Sequence, residues 1–167
     1  MATTQTPAEL LRRLKQEANA YAIQRKKEAD AELTRYVADL KADYDKTVTL
    51  ANRQYYAEKD AETPRRAAAS VEAALLRRQA RERLADRGLS GSGAERAAVD
   101  AASQRQTLLE RESVKRVDAM REKAQATINA AYTQMLKKQK QKQEELKKAV
   151  AKDILRKQEA LQKAYLS

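Results

Sequence analysis

The chain has 167 residues, a net charge of +11, and no Cys, His, Trp or Phe. Without Cys and His the disulfide, the thiolate nucleophile, the imidazole base and the commonest metal ligands are all missing, so the composition argues against an enzyme, a cofactor or a bound metal. Leu, Ile and Val number 27 against 33 Ala, and Gly and Pro total five. Such a chain is too poor in bulky side chains for a round core, yet it is dominated by strong helix formers.

In chain order, Thr6-Pro7-Ala8-Glu9 is the first helix signal. Thr6 is placed to cap, Pro7 suits the first helical position, and Glu9 completes a capping box. The spacing predicts a helix over about 7–62. Thr63-Pro64 repeats the cap-then-proline pattern. Proline lacks an amide donor and crowds the carbonyl four residues back, so a kink or break is expected at Pro64, with a second helix over about 65–87. Gly88 is suited to the left-handed conformation that ends a helix, with Leu89 placed to meet Leu84. All three glycines fall within Gly88–Gly93, and Gly88, Leu89, Gly91 and Gly93 are the turn candidates. Ser92 with Glu95 forms another capping box, opening a third helix over about 94–166.

The apolar positions beat every eleven residues. Leu11, Ala22, Leu33, Tyr44 and Tyr55 follow this spacing, as do Ala18, Ala29, Leu40 and Ala51, and later Ala124, Met135 and Leu146. Eleven residues in three turns is about 3.67 per turn, which keeps a seam nearly straight along a relaxed helix. The expected fold is all-α: a single elongated domain over 1–167, built as a long antiparallel helical hairpin or coiled coil that turns at Gly88–Gly93. Folding there pairs position i with about 181 − i. Asp39, Asp43 and Asp45 then face Lys142, Lys138 and Lys137, and Glu28, Asp30 and Glu32 face the region of Lys147, Lys148 and Lys152. Pairing of the first helix with the third in the same chain, or with another copy, both fit the pattern. A seam so rich in Ala buries little, so partners are expected: further copies of the chain, other structural proteins of an assembly, or both.

The charge is uneven. Residues 1–62 are neutral, 63–93 carry +4 and 94–167 carry +7. Two basic clusters are candidate partner or polyanion contacts. One is Arg65, Arg66, Arg77, Arg78, Arg81, Arg83 and Arg87; the other is Lys137, Lys138, Lys140 and Lys142. Either suits a phosphate backbone, but no base-reading module accompanies them, so nucleic acid is a second reading and not the favoured one. The glycine-rich turn is not a Walker loop, because no Lys-Ser/Thr follows. No apolar run approaches the ~20 residues of a membrane span. Met1-Ala-Thr-Thr-Gln-Thr-Pro7 lacks the basic start and apolar core of a secretory signal, which points to the cytoplasm or to direct packing into an assembly.

The stretch Leu84-Ala-Asp-Arg-Gly88-Leu-Ser-Gly-Ser-Gly93-Ala-Glu95, set between Lys/Gln/Ala-rich arms, resembles a group of uncharacterised phage and prophage proteins. Those proteins carry a Gly-Leu-x-x-Ser-Gly-like turn between two long helical arms. The resemblance implies a non-enzymatic coiled-coil component of a tail, baseplate or neck, present in several copies, located in the virion and assembled in the bacterial cytoplasm. A basic helical nucleic-acid-associated protein and a cellular stalk or adaptor are the alternatives.

Overall fold

A computed structural model describes residues 6–166; the reading of Met1–Gln5 as free of a targeting signal lies outside them. The protein is an all-α helical hairpin of two long helices, α1 (Pro7–Ala85) and α2 (Gly93–Leu166). No strand occurs among the described residues. Contacts divide the hairpin into two units. One holds the residues up to Asp45 with those from Ala131 on, and the other spans Lys46–Ala130.

The helix ends follow the capping chemistry of the sequence. Thr6 N–H donates to Glu9 Oε2 at 2.9 Å, and Glu9 N–H returns a longer bond of 3.4 Å to Thr6 Oγ1. At the turn, Gly88 N–H bonds the Ala85 carbonyl and Leu89 N–H bonds the Leu84 carbonyl, both at 2.8 Å. Those two bonds are the Schellman pair, and Gly88 sits at the left-handed position with φ 68°. Gly91 is also left-handed, at φ 74°. Glu95 N–H then meets Ser92 Oγ at 3.3 Å, while the Glu95 carboxylate takes the Gly91 amide. Gly88→Val forces a β-branched residue into positive φ, where no neighbour blocks the added atoms but the backbone itself is strained. Urea unfolding should show a loss of ~1 kcal/mol or more.

The expected break at Pro64 is corrected. Helix α1 runs unbroken from Pro7 to Ala85 with Pro64 inside it, so the separate helices over 7–62 and 65–87 are one. Proline does remove one helical bond, orphaning the Asp60 carbonyl. Asp60 and Pro64 both lie on the exposed side, so that carbonyl is open to solvent instead of being sealed in the seam. On either side of the proline, Glu62, Arg65 and Arg66 are tied into a polar cluster with α2.

The eleven-residue beat is the buried seam, and it extends beyond the positions that announce it. On α1 the phase of Ala18, Ala29, Leu40 and Ala51 continues through Glu62, Ala73 and Leu84. On α2 it runs through Ala102, Ser113, Ala124, Met135 and Leu146. All of these are buried or half-buried. The seam is thin: the buried apolar residues among those described are Ala51, Ala73, Ala102 and Val150.

Cross-helix pairs run in the expected antiparallel sense, but the register is shorter than 181 − i. Arg77 with Ser103 falls one residue short of it, whereas Glu32 with Lys142 and Glu17 with Lys157 fall seven short. Lys142, expected opposite Asp39, is therefore taken by Glu32 at 2.6 Å. Glu28, expected near Lys147, pairs with Arg25 on its own helix, and Lys147 pairs with Glu144. Long side chains slant along the seam, so ion pairs form between residues that are not strictly level.

Candidate functional site

The site with the most developed geometry lies in the unit spanning Lys46–Ala130, beside Pro64. Glu62 and Ser113 are its centre, at 1% and 2% exposure, and both occupy seam positions that elsewhere hold Ala, Leu or Met. Arg116 grips the Glu62 carboxylate with two nitrogens, Nε at 3.1 Å and Nη2 at 3.2 Å. Arg65 adds Nη1 at 2.6 Å and also reaches Glu58 at 3.1 Å. Arg66 Nε donates to Ser113 Oγ at 2.7 Å. Arg116, then the Ser113 hydroxyl, then Arg65 hold the Glu62 carboxyl down at about 2, overcoming the opposing effect of burial. No buried side-chain nitrogen or oxygen among the described residues is left without a partner. The carboxylate is saturated with donors, and this arrangement suits a fixed latch between helices better than a group that gives and takes protons.

The other unit, formed by the chain ends, uses a different device. Lys157 bonds Glu17 at 2.6 Å and lies 5.9 Å from the centre of the Tyr21 ring. Lys142 bonds Glu32 at 2.6 Å and lies 5.8 Å from the Tyr36 ring. Each lysine thus clips a glutamate and the tyrosine one turn further on, and the motif recurs fifteen residues along both helices. Between the clips, Arg25 bridges Glu28 and Asp153, and both carboxylates raise its pKa, Glu28 more strongly. Tyr44 meets Tyr132 with ring centres 5.9 Å apart.

These contacts redistribute the candidate basic residues. The arginine cluster does not form one free face. Arg65 and Arg66 belong to the latch, Arg77 reaches Ser103, Arg78 pairs with Glu82, and Arg81 pairs with Glu95 at 3.7 Å. Arg83 and Arg87 are exposed and form no ion pair among the described residues. In the lysine cluster, Lys142 is taken by Glu32, while Lys137, Lys138 and Lys140 stay exposed. Gly88, Leu89, Gly91 and Gly93 form the turn and the start of α2.

Sequence reasoning missed Glu62 and Ser113, although the signal was present. One further eleven-residue step from Ala51 lands on Glu62, and one step back from Ala124 lands on Ser113.

Two apolar grooves open along the seam of the end unit. Ala29, Leu33, Leu146, Val150, Ala151 and Ile154 line one of about 370 Å³, rimmed by Lys26, Asp30, Gln143 and Lys147. Leu11, Leu14, Ala18 and Leu161 contribute to another of about 350 Å³. Among the described residues, no helix is long and apolar enough to cross a membrane. No family model matches the chain, and no curated protein or solved structure matches it.

Proposed function

We propose that the chain is a non-catalytic structural protein whose hairpin is one repeating part of a larger assembly, docking with copies of itself through its seam grooves. The observation that carries this reading is the unfinished core. Among the described residues the buried apolar positions are three alanines and one valine, while Leu33, Leu146 and Ile154 line an open groove. Large aliphatic side chains are also left in water: Val71, Leu50, Leu108 and Ile23 are each more than half exposed. At ~25 cal/mol per Å² of apolar surface, covering such grooves with further helices is the cheapest stabilisation open to this sequence. The Ala-rich seam favours close approach of a third or fourth helix.

A phage virion component of the tail, baseplate or neck is the specific assembly favoured here, on the likeness of the Leu84–Glu95 turn sequence to phage and prophage arm-turn-arm proteins. Thermal melting followed by circular dichroism over a hundredfold range of concentration tests the docking. Mass action requires Tm to rise with concentration if the folded form is an oligomer. A concentration-independent melt contradicts the proposal.

A further inference from the structure

The cross-helix ion pairs have a consequence for the surface they leave behind. In the end unit three acidic side chains pair across the seam, and one more pairs along the outer face of α2. Glu17, Glu32 and Asp153 bind Lys157, Lys142 and Arg25, and Glu144 binds Lys147. The exposed cations Lys137, Lys140, Lys148, Lys152 and Arg156 of α2 take no part in that pairing. Lys137 and Lys148 each follow a seam residue, Met135 and Leu146, by two positions, and Lys152 follows Val150 in the same way. Two residues at about 100° each carry a side chain to the opposite side of the helix. Lys137 and Lys148 are also eleven apart, so they share one azimuth three turns apart. The back of α2 is therefore a band about 22 Å long from Lys137 to Lys152, at 1.5 Å per residue, with Lys137 and Lys148 on its midline, Lys140 and Lys152 about 60° to either side, and Glu144 also on it. Within that stretch Glu144 pairs with Lys147, and Glu145 is the acidic side chain outside the ion pairs.

We infer that this outward stripe of α2 docks a nucleic-acid duplex through its phosphates. Three features favour that occupant over an acidic protein or a membrane. The stripe is lysine-rich and almost without apolar side chains, Leu155 being the exposed exception. Protein interfaces instead concentrate aromatic residues and Arg and are depleted in Lys. A membrane surface needs an apolar wedge beside the cations, which Gln and Lys do not supply. With no aromatic in Lys137–Arg156 there is no platform for unstacked bases, so recognition is of the charged backbone and independent of sequence.

The test is fluorescence anisotropy of a labelled random-sequence 30-base-pair DNA duplex with the full chain, titrated in salt from about 50 mM upward. The variant K137Q/K140Q/K148Q/K152Q removes four charges from the stripe. A control, R12Q/K27Q/R35Q/K41Q, removes four exposed charges from α1, and circular dichroism verifies that both keep their helix. The stripe variant should bind at least ~10-fold more weakly, and its slope of log K against log salt should shrink by up to about 3.6, at about 0.9 for each of four phosphate contacts. The control should retain most of the affinity and slope. Equal losses in both variants would reduce the effect to net charge and overturn the assignment, as would absence of binding at the lowest salt. Competition by polyglutamate as effective as by unlabelled duplex would give the stripe to an acidic protein and overturn it equally.

Discussion

Glu62→Ala should lower the melting temperature by on the order of 5 °C, and Glu62→Leu should also melt below the parent. The alanine change strips the acceptor from Arg116, Arg65 and Ser113 together, and the buried Ser113 hydroxyl keeps only the bond from Arg66. The leucine change removes the same acceptor and leaves Arg116, Arg65 and the buried Ser113 hydroxyl as the alanine change does; only replacing a buried ion pair as a whole is often neutral or stabilising. The latch is also visible in the pH dependence. Its carboxyl is held down at about 2, far below its ordinary value of 4.5. A depressed carboxyl contributes stability that is complete above the unfolded pKa and is lost as pH falls through the folded one. The parent should therefore lose stability between about pH 4.5 and 2. Glu62→Gln should flatten that decline without abolishing it, because Glu9, Glu17 and Glu28 are also depressed, by Thr6, Lys157 and Arg25. An alanine variant that melts like the parent, with an unchanged acid limb, would remove the latch from the account.

The same substitution should have opposite effects at two seam alanines. Ala51 is buried, and the crevice it shares with Met120 and Ala124 is only about 20 Å³, room for about one water. Ala51→Leu has no space for three extra carbons and should cost ~1–3 kcal/mol by overpacking. Ala29 instead lines the open groove of about 370 Å³ with Leu33, Leu146, Val150 and Ile154. Ala29→Leu should be neutral or stabilising in dilute solution, since it covers apolar surface without a clash. It should also weaken the dependence of Tm on concentration, because it fills the space a docking helix needs. Chemical denaturation of both variants at two protein concentrations reads all of these effects. Equal destabilisation at both positions would mean that the groove closes in solution.

Features governed by local rules were legible in the sequence. Gly88 could be placed at positive φ because a helix that must end in a left-handed residue has few alternatives to glycine. The pairs Thr6 with Glu9 and Ser92 with Glu95 could be read as caps because the partners are three residues apart. The antiparallel hairpin followed from one turn between two periodic arms. What failed depended on the second helix. Pro64 ends helices by local rules, yet here Glu62, Arg65 and Arg66 anchor the chain on both sides of it, so the tertiary contact overrides the proline. Glu62 and Ser113 went unseen because hydropathy assigns Glu and Ser to water, while the period assigned them to the seam. The arginine cluster was read as a surface because its residues are close in sequence. Guanidinium groups are long enough to cross to α2, and only the register tells which of them do. The cross-helix partners fall one to seven residues short of the expected sum, enough to give Lys142 and Glu28 partners other than the expected ones.

Self-association through an incompletely covered seam is the claim on which the functional reading depends. Sedimentation equilibrium measures it most directly, on the full chain at several loadings from micromolar to hundreds of micromolar. The account predicts a weight-average mass that rises with concentration towards a whole multiple of 18.9 kDa. It also predicts that the rise weakens in Ala29→Leu. A constant mass of 18.9 kDa at every loading would contradict it.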